Sequence, residues 1–556
     1  MPNFLENTFV QLQKAAGRVV LREIRGTEFV SVSATELLDL VARARAFVRR
    51  AGVEPGDRCA LLGPNSIHWA VVDLALMAEG AVVVPLYARQ APGEVALMLE
   101  DSTPRLLIAS DTTLGEAIAR VWPQTPRRVT FDEIFQAIPA RQGISGPLFA
   151  RQSDDLVTII YTSGTSGEPK GVCLNTENLD HMLGCTTGWI DHLDSGHREP
   201  LRVFQYLPFN FAASWIVMMS CLTRETVLTL STDLNKLADE IRLCAPNYFF
   251  NVPTLLERVK RAVEEGLAKR GSPIQFIYQK GRAAWQRQNN GESGGGLWRL
   301  VANKLIFSQI RGRFGPNLRG LVCGSAPLAP ETQEFFAMLG VPIWQVYGLT
   351  ETCGISTMDD PRIPSEPGRV GPAIPGIEMK VGDNDEILVR GPNIFPGYWR
   401  RPEETARVLC DGWFHTGDRG EVNSGGNWRI SGRIKNLIIL NSGHNIAPEP
   451  IEEKIVQRLA GAQQVIVVGN GRGYLCALVT GGVVKQAVQS AIDEVNQELP
   501  HYRQVRNFAL LPEAFTPESG LLTANGKLKR DAIGQKFQEE IEQMYRKNTA
   551  VVGSNV

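Results

Sequence analysis

Short apolar strands alternate with helical patterns in the first part of the chain. The segments 58–63, 81–87 and 105–110 are rich in aliphatic and β-branched residues, and the segments 67–80 and 94–102 between them have helical spacing. This alternation is typical of α/β units that build a largely parallel sheet. Because ligands of such sheets bind at the carboxyl ends of the strands, the loops that leave those ends are the first place to look for a site.

One such loop, YTSGTSGEPKG at residues 161–171, follows the apolar strand pattern LVTIIY at 156–161. Its glycines allow sharp bends and exposed backbone N–H groups, its hydroxyls add donors, and Lys170 adds positive charge. We therefore predict a cradle for phosphate oxygens, whereas a Gly- and Ser-rich stretch is otherwise typical of a plain linker. The lysine lies between a proline and a glycine, which differs from the general P-loop pattern. The residues assigned to phosphate are Thr162, Ser163, Gly164, Thr165, Ser166, Gly167 and Lys170.

Composition limits the classes of protein that fit. A chain of 556 residues is too long for one core, so at least two domains are expected. Lys and Arg total 58 against 59 Asp and Glu, which gives no general attraction for nucleic acid. The nine cysteines have no metal-ligand spacing, which favours free thiols in a reducing compartment. With no secretory pattern at the start, we predict a cytoplasmic protein, and the sequence leaves open both peripheral contact with the inner membrane face and the oligomeric state.

The pattern of elements changes after residue 432. Shorter elements follow, including a strand pattern at 463–470 and a helical pattern at 483–499. We predict an α/β protein with a large N-terminal domain of mixed sheets flanked by helices, at residues 1–432, and a small mobile α+β domain at 437–546. The last residues, 547–556, are expected to be disordered. A polar stretch at 286–296 predicts a mobile surface insertion between two helices.

Six motifs follow one another in a fixed order. They are YTSGTSGEPKG at 161–171, GSAPL at 324–328, YGLTET at 347–352, GWFHTGD at 412–418, SGRIKNLIILNSGHNIAPEPIE at 431–452 and LTANGKLKR at 522–530. Together and in this order they resemble the adenylate-forming superfamily, which includes acyl-CoA synthetases, amino-acid adenylation domains and luciferases. The resemblance spans about residues 37–530 and is strongest toward the long-chain fatty-acid–CoA ligases.

The resemblance implies activation of a carboxylic acid by ATP with Mg²⁺, followed by transfer of the acyl group to CoA. It gives Glu351 the role of a Mg²⁺ ligand and places the Thr350 hydroxyl near the α-phosphate. It also implies that Tyr347, at the turn with Gly348, stacks on adenine. On its own, a Thr-Glu pair is equally typical of a helix start.

The remaining nucleotide contacts implied by the resemblance lie in three motifs. Asp418 would accept the ribose hydroxyls and Arg433 would donate to the same ribose, whereas alone they would suggest a turn aspartate and a surface ion pair. The GSAPL residues would line the adenine side. These four are Gly324, Ser325, Ala326 and Pro327.

The family runs two half-reactions by rotating its small domain, and the matching positions lie near the end of this chain. The resemblance implies a hinge at 433–436 centred on Lys435, and a catalytic lysine at Lys527. The loop with Ser442, Gly443 and His444 would replace that lysine in the second conformation and face CoA. His444 has no partner at metal-ligand or acid–base spacing.

The substrate prediction rests on LPFNFAASW at 207–215. Amino-acid-activating relatives have an aspartate where Ala212 stands, so an α-amino acid is not expected as substrate. Phe211 stands where many acyl-CoA synthetases have a gate histidine. Trp215, Met218 and Met219 suit an apolar acyl tunnel, and core packing explains each of them as well.

These observations predict acyl-CoA formation from a medium- to long-chain fatty acid. Two alternatives are a fatty-acyl-AMP ligase that loads a separate carrier protein and, in a different class, a ligand-binding pseudoenzyme. The second alternative would require loss of key groups, yet Lys170, Glu351, Asp418, Arg433 and Lys527 are all present.

Overall fold

The structure is a computed structural model that describes residues 2–124, 126–138, 146–163, 169–194, 199–523 and 526–552. Side chains are described at all of these positions except 163, 194 and 547–552. The predicted phosphate-loop residues Gly164, Thr165, Ser166 and Gly167 lie outside the described residues, as does the side chain of Ser163.

Two sheets and their helices occupy the first part of the chain. The elements are α1 (Phe4–Ala15), β1 (Val19–Arg25), β2 (Glu28–Ser33), α2 (Ala34–Arg50), β3 (Arg58–Leu62), α3 (Ile67–Ala78), β4 (Val82–Leu86), α4 (Pro92–Ser102), β5 (Leu106–Ala109), α5 (Thr112–Val121), β6 (Arg127–Thr130), α6 (Phe131–Ala137), β7 (Leu156–Ser163), β8 (Pro169–Asn175), α7 (Thr176–Asp194), β9 (Leu201–Gln205), α8 (Ala212–Leu222), β10 (Thr226–Leu230), α9 (Leu237–Cys244), β11 (Tyr248–Asn251), α10 (Pro253–Ala268), α11 (Ser272–Asn289), α12 (Gly296–Ala302), α13 (Ser308–Gly312), β12 (Leu321–Cys323), α14 (Pro330–Met338), β13 (Ile343–Tyr347) and β14 (Thr357–Met358).

An antiparallel sheet and a C-terminal α+β unit follow. Their elements are β15 (Glu378–Val381), β16 (Glu386–Arg390), β17 (Gly397–Tyr398), α15 (Pro402–Val408), β18 (Leu409–Cys410), β19 (Trp413–Val422), β20 (Trp428–Arg433), β21 (Ile438–Ile439), β22 (Asn445–Ile446), α16 (Glu449–Arg458), β23 (Ala462–Val468), β24 (Leu475–Gly481), α17 (Lys485–Gln497), β25 (Val505–Leu511), α18 (Arg530–Lys536) and α19 (Gln538–Val552).

The alternating segments near the start form one sheet, as predicted. β3, β4, β5, β6 and β7 run parallel, and within the described residues the strand order is β17-β8-β7-β4-β3-β5-β6. α3 joins β3 to β4 and is buried almost all round, because it packs within the protein rather than on its surface. The largely parallel sheet expected from the sequence is therefore confirmed.

A second sheet lies across the same core. Its order in the described part of the chain is β14-β13-β12-β11-β9-β10-β1-β2, with antiparallel pairs at both edges. One cluster of buried residues joins strands of both sheets with α1, α2, α3, α7 and α8. The last residues of β7 and the residues that follow β13 line the cavity described below.

In the C-terminal unit, successive side chains of β23 pack against two different layers of helices. On β23, Val465 and Val467 belong to a cluster with α16 and α17, whereas Ile466 belongs to a cluster with α18 and α19. This follows from the two-residue period of a strand that is covered on both faces. Among the described residues, neither of these two clusters includes a residue before Ile438.

Mixed sheets flanked by helices confirm the predicted fold class. α19 continues to Val552, so the backbone of 547–552 is helical where a disordered tail was expected. In the polar stretch 286–296, the first residues belong to the end of α11 and the last begins α12. The domain boundaries at 432 and 437 stay predictions.

Candidate active site

A cavity of about 190 Å³ lies between the N-terminal sheets and the C-terminal unit. Segments from β7, β8, β13 and β20 contribute side chains, and Thr523, Lys527 and Lys529 line it from the C-terminal side. Of the residues predicted from the sequence, those that line it are Thr162, Lys170, Phe211, Ser325, Gly348, Thr350, Glu351, Arg433, Lys435 and Lys527. Residues from five of the six motifs, far apart in sequence, therefore meet in one place.

Glu351 lies in a short 3-10 turn, Thr350–Thr352, directly after β13. Leu349 begins this turn, and its backbone N–H donates to the Thr352 hydroxyl over 2.9 Å. The Tyr398 hydroxyl donates to Glu351 Oε1 over 2.9 Å. Burial and the nearby Glu351 carboxylate raise the pKa of Tyr398, so this hydroxyl keeps its proton. The bond fixes one oxygen of Glu351 and leaves the other available to a ligand.

Asp418 and Arg433 stand directly opposite each other on β19 and β20. Arg433 Nε lies 2.8 Å from Asp418 Oδ1, and the Tyr347 hydroxyl donates to Asp418 Oδ2 over 2.9 Å. Asp418 is almost fully buried. The carboxylate raises the pKa of Arg433, and burial together with the same carboxylate raises the pKa of Tyr347. Asp418, Arg433 and Tyr347 thus form one hydrogen-bonded group beside the cavity. Of the three, Arg433 lines the cavity wall.

Lys527 lines the cavity from the C-terminal unit. Its backbone N–H donates to the Thr523 hydroxyl over 3.0 Å, and the Thr523 N–H donates to the Lys527 carbonyl over 2.8 Å. Desolvation by the cavity walls, followed by the charge of Arg433, lowers the pKa of Lys527 to about 8, although the side chain keeps contact with solvent. Desolvation and Arg433 lower the pKa of Lys435 as well. Three cationic side chains therefore face one cavity, where an anion would be stabilised.

Lys170 lines the cavity but already has a carboxylate partner. It forms an ion pair with Glu404 and lies over the Tyr398 ring, with Nζ 5.4 Å from the ring centre. To hold a phosphate, as predicted, Lys170 must therefore first leave Glu404.

Two predicted glycines are required by close packing. A Cβ on Gly348 would lie 2.5 Å from the Gly354 carbonyl oxygen, and a Cβ on Gly324 would lie 2.6 Å from Val346 Cγ2. Ser325, at the cavity wall, has a positive φ of 77°. The next two residues of the GSAPL motif, Ala326 and Pro327, are exposed and do not line the cavity, so of this motif only Ser325 does.

The substrate-side residues fall into two groups. Phe211 lines the cavity and stacks on Phe250, with ring centres 6.0 Å apart, and Ala212 lines it too. Trp215, predicted for an acyl tunnel, is instead buried in the core, where its indole N–H donates to Asp73 over 2.7 Å. Met218 and Met219 are also fully buried and do not line this cavity, which agrees with the core alternative, and an acyl tunnel at these three residues stays a prediction.

The loop predicted to face CoA lies outside the cavity. Ser442 Oγ and His444 Nδ1 are 2.9 Å apart, and the His444 ring stacks on Tyr502 with centres 4.2 Å apart. Gly443 has a φ of 84°, and a Cβ added there would have no described atom within 4 Å. The three loop residues are exposed and do not line the cavity, whereas Lys527 does line it.

Sequence reasoning missed several polar residues at or beside the cavity, of which three bear on the site. Tyr398 and Glu404 pair with the predicted site residues Glu351 and Lys170. Asn210 lines the cavity with a buried Oδ1 that has no partner among the described residues. Only Asn210, beside Phe211 in the LPFNFAASW motif, had a usable sequence signal.

Two polar links that the sequence did not predict join the C-terminal unit to the N-terminal part. Lys529, at the cavity wall, pairs with Glu94 of α4 over 2.6 Å. Arg261 of α10 makes the second link, donating to the carbonyls of Val456 over 3.1 Å and Ala462 over 3.4 Å. Lys529, two residues after Lys527, is thereby held against α4, and Val456 and Ala462 are held against α10.

Comparison with known proteins places the chain in a family. Residues 9–399 match the family described as AMP-binding enzyme, and residues 435–549 match the AMP-binding enzyme C-terminal domain. The chain belongs to the AMP-binding enzyme family, and the resemblance to adenylate-forming enzymes is confirmed.

Relatives with curated names cover nearly the whole chain. The Long-chain-fatty-acid–CoA ligase FadD15 of Mycobacterium bovis is 29% identical, covering 95% of this chain and 94% of that protein. Long chain acyl-CoA synthetase 3 of Arabidopsis thaliana is 26% identical, covering 96% and 90%. The names agree with the predicted resemblance to long-chain ligases.

Solved structures share the fold. The adenylation domain of the carboxylate reductase from Mycobacterium chelonae has a TM-score of 0.80 at 24% identity, covering 98% of this chain and 91% of that chain. The O-succinylbenzoate coenzyme A synthetase of Bacillus subtilis, solved with ATP and a magnesium ion, has a TM-score of 0.73 at 20% identity, covering 96% and 99%.

Proposed function

We propose that this protein is an AMP-forming acid–CoA ligase that acts on a medium- to long-chain fatty acid. The observation that carries the proposal is the meeting of Lys527, from the C-terminal unit, with Glu351 and Arg433 in one cavity. The family membership and the names of the curated relatives support the same reaction.

In the first half-reaction the fatty-acid carboxylate attacks the α-phosphate of ATP, and pyrophosphate leaves. Negative charge grows on the transferred group and on the leaving group, so catalysis depends on positioning and charge stabilisation. Lys527 would neutralise that charge at the α-phosphate, with the Thr350 hydroxyl beside it. Thr162, the residues 163–167 and Lys170 would hold the β- and γ-phosphates, Lys170 after leaving Glu404.

Mg²⁺ fits the donor set of this cavity. Glu351 offers one carboxylate oxygen after Tyr398 has taken the other, and Mg²⁺ is commonly held by one or two carboxylates together with substrate phosphates. When bound, the ion would neutralise phosphate charge. No group of three acidic, histidine or cysteine ligands occurs among the described residues, which agrees with a site completed by the nucleotide.

The nucleoside would bind at the Asp418 group. Asp418 would accept the ribose hydroxyls, with Arg433 donating to the same sugar. The Tyr347 hydroxyl now donates to Asp418 Oδ2, so Tyr347 would break this hydrogen bond when it stacks on adenine. Ser325 and Gly348 would form the adjoining wall.

The acyl side of the cavity suits an uncharged chain. Phe211, Ala212 and Phe250 line it, and Ala212 supplies no carboxylate to hold a substrate ammonium. Apolar walls favour a hydrocarbon chain over an amino acid or a short polar acid.

In the second half-reaction CoA would attack the acyl-adenylate after the small domain has rotated about Lys435. The exposed loop Ser442, Gly443 and His444 would then move to the cavity in place of Lys527. The present arrangement, with Lys527 inside and that loop outside, matches the one needed for adenylation.

The test is AMP release across a panel of acids, from acetate to palmitate and an aryl acid, with and without CoA. We expect release that depends on CoA, with specificity constants that rise with chain length by about fourfold for each methylene until the tunnel is filled, the equivalent of about 0.8 kcal/mol. A maximum at acetate or the aryl acid would contradict the fatty-acid assignment. Accumulation of acyl-adenylate despite saturating CoA would favour loading of a carrier protein.

A further inference from the structure

The helices α11 and α12 carry large apolar side chains on the protein surface. Leu297 and Leu300 of α12 are 72% and 68% exposed, Phe276 of α11 is 50% exposed, and Leu305 is 43% exposed. Other exposed apolar side chains of the described residues are spread along the chain, and single exposed residues need no explanation. Here four such side chains lie on two helices that pack together and on the π-helical turn at 303–307 that follows them, and they form a surface of a different kind.

Contacts between α11 and α12 hold the two helices side by side. The Phe276 ring meets the Trp298 ring edge to face, with centres 5.4 Å apart, and Arg299 bonds to Gln288 of α11. Leu297 and Leu300 are three residues apart, so they lie on one side of α12. We call the four exposed side chains and their basic neighbours the α11–α12 surface.

The charge of this region differs sharply from that of the whole protein. Residues 269–313 contain nine Lys or Arg and one acidic residue, Glu292, in a chain whose net charge is −1. Eight of the nine basic residues are exposed, and none of these eight forms a salt bridge with a carboxylate among the described residues. They are Lys269, Arg270, Lys280, Arg282, Arg287, Arg299, Lys304 and Arg313.

Helical spacing places some of these cations beside the apolar groups. Phe276, Lys280 and Arg287 follow one side of α11, and Lys280 lies over the Phe276 ring at 5.4 Å. Lys304 continues the line of Leu297 and Leu300. Exposed leucine and phenylalanine framed by exposed cations is the arrangement by which helices lie on a membrane with anionic lipids.

We propose that the α11–α12 surface docks the protein on a bilayer that carries anionic phospholipids. The cations contact the headgroups, and Leu297, Leu300 and Phe276 enter the boundary between headgroups and acyl chains. No helix of the described residues is long and apolar enough to cross a bilayer, so this contact is peripheral. If the proposed function is correct, docking delivers a fatty acid from the membrane in which it dissolves.

Vesicle flotation tests the docking without any catalytic step. The purified full chain is mixed with vesicles of phosphatidylcholine alone or of equimolar phosphatidylcholine and phosphatidylglycerol, at low and high salt. We expect flotation with the anionic vesicles at low salt, little with the neutral ones, and loss at high salt. Absence of flotation with anionic vesicles at low salt would overturn the proposal.

Two variants separate the parts of the surface. Leu297→Gln/Leu300→Gln removes apolar contact and should lower the vesicle partition coefficient on the order of tenfold or more. Lys280→Gln/Lys304→Gln should lower it about fivefold for each cation, the equivalent of about 1 kcal/mol each. These helical positions are exposed, so the thermal unfolding midpoint should stay unchanged.

The control is Val484→Gln/Lys485→Gln, which removes an exposed apolar group and an exposed cation from the C-terminal unit. It should float like the unchanged protein. Equal flotation of the leucine variant and the unchanged protein would refute the assignment of the surface.

An acidic partner protein is the competing occupant. If immobilised acyl carrier protein retains the unchanged protein but not the variants, while anionic vesicles bind all of them equally, the surface serves a protein and the membrane proposal fails. Flotation that persists in a protein without acid-dependent AMP release would instead refute the proposed function and leave the docking standing.

Discussion

We expect the lowered pKa of Lys527 to make the adenylation half-reaction, in which we propose that this lysine acts, sensitive to alkaline pH. Only the ammonium form can neutralise the charge at the α-phosphate, and this form is lost as the pH rises through a pKa of about 8. At one pH unit above that value about a tenth of the lysine is protonated, so the rate constant of the free enzyme should fall up to about tenfold. If Lys527 had the ordinary pKa of a lysine, the rate constant would stay nearly unchanged over the same pH range.

The assay is acid-dependent pyrophosphate exchange, followed as kcat/KM for the acid from about pH 6.5 to 10, because kcat/KM reports the groups of the free enzyme. Lys527→Arg keeps its positive charge throughout this range, so its profile should be flat even if its rate is lower. Lys527→Ala should lose roughly 3 to 4 kcal/mol of transition-state stabilisation, about two to three orders of magnitude in rate. The same variant, given acyl-adenylate and CoA, should still form thioester.

Glu453 has a raised pKa close to that of Lys527 and needs a control. Burial, and then the neighbouring Glu257 carboxylate, raise the pKa of Glu453 to about 8, and Glu453 lies on α16 of the C-terminal unit. Glu453→Gln should keep the alkaline fall if Lys527 causes it. The reasoning would be refuted if kcat/KM fell at alkaline pH in Lys527→Arg as it does in the unchanged protein. It would also be refuted if that fall disappeared in Glu453→Gln.

Three further predictions concern other parts of the molecule. Glu351→Gln keeps the side-chain shape but removes the charge proposed to hold Mg²⁺, so the Mg²⁺ concentration for half-maximal pyrophosphate exchange should rise at least about tenfold; an unchanged Mg²⁺ titration would remove Glu351 from the site. Gly443→Leu should slow thioester formation from acyl-adenylate and spare pyrophosphate exchange, and equal loss of both steps would contradict the loop's role. Burial raises the pKa of Asp73 to about 7 from 3.8, so the folded state holds a proton that the unfolded state releases, and stability should fall between about pH 4 and 7. Asp73→Asn can still accept from the indole of Trp215 and should flatten that fall in urea unfolding, whereas a wild-type curve that is already flat would refute it.

Local patterns were sufficient for much of the fold. The alternation at 58–110 predicted β3, α3, β4, α4 and β5 nearly at their observed bounds, because hydrophobic period and burial agree there. Trp215 and Met218 show where local patterns fail. An apolar residue in a helix has the same sequence pattern whether it faces a ligand or the core, and only the packing of α8 distinguishes the two.

The candidate site followed from motifs, while its polar partners did not. The ordered motifs predicted that Glu351, Arg433 and Lys527 share one site, and the structure brings them to one cavity. Tyr398 and Glu404 were missed because they meet Glu351 and Lys170 across long stretches of sequence. Such pairs depend on β17 and α15 being laid beside the cavity, which no local pattern encodes.

The two polar links between the C-terminal unit and the rest of the protein bear on how fast the unit can change position. Lys529 with Glu94, and Arg261 with two carbonyls, are bonds that water can replace one at a time. Since the apolar clusters of the unit begin only at Ile438, separating these links opens no shared apolar core among the described residues. For the proposed rotation, we therefore expect the barrier to leaving the present arrangement to be a sequence of small steps, and we expect bound nucleotide, rather than the interface itself, to set the time that the unit spends in it.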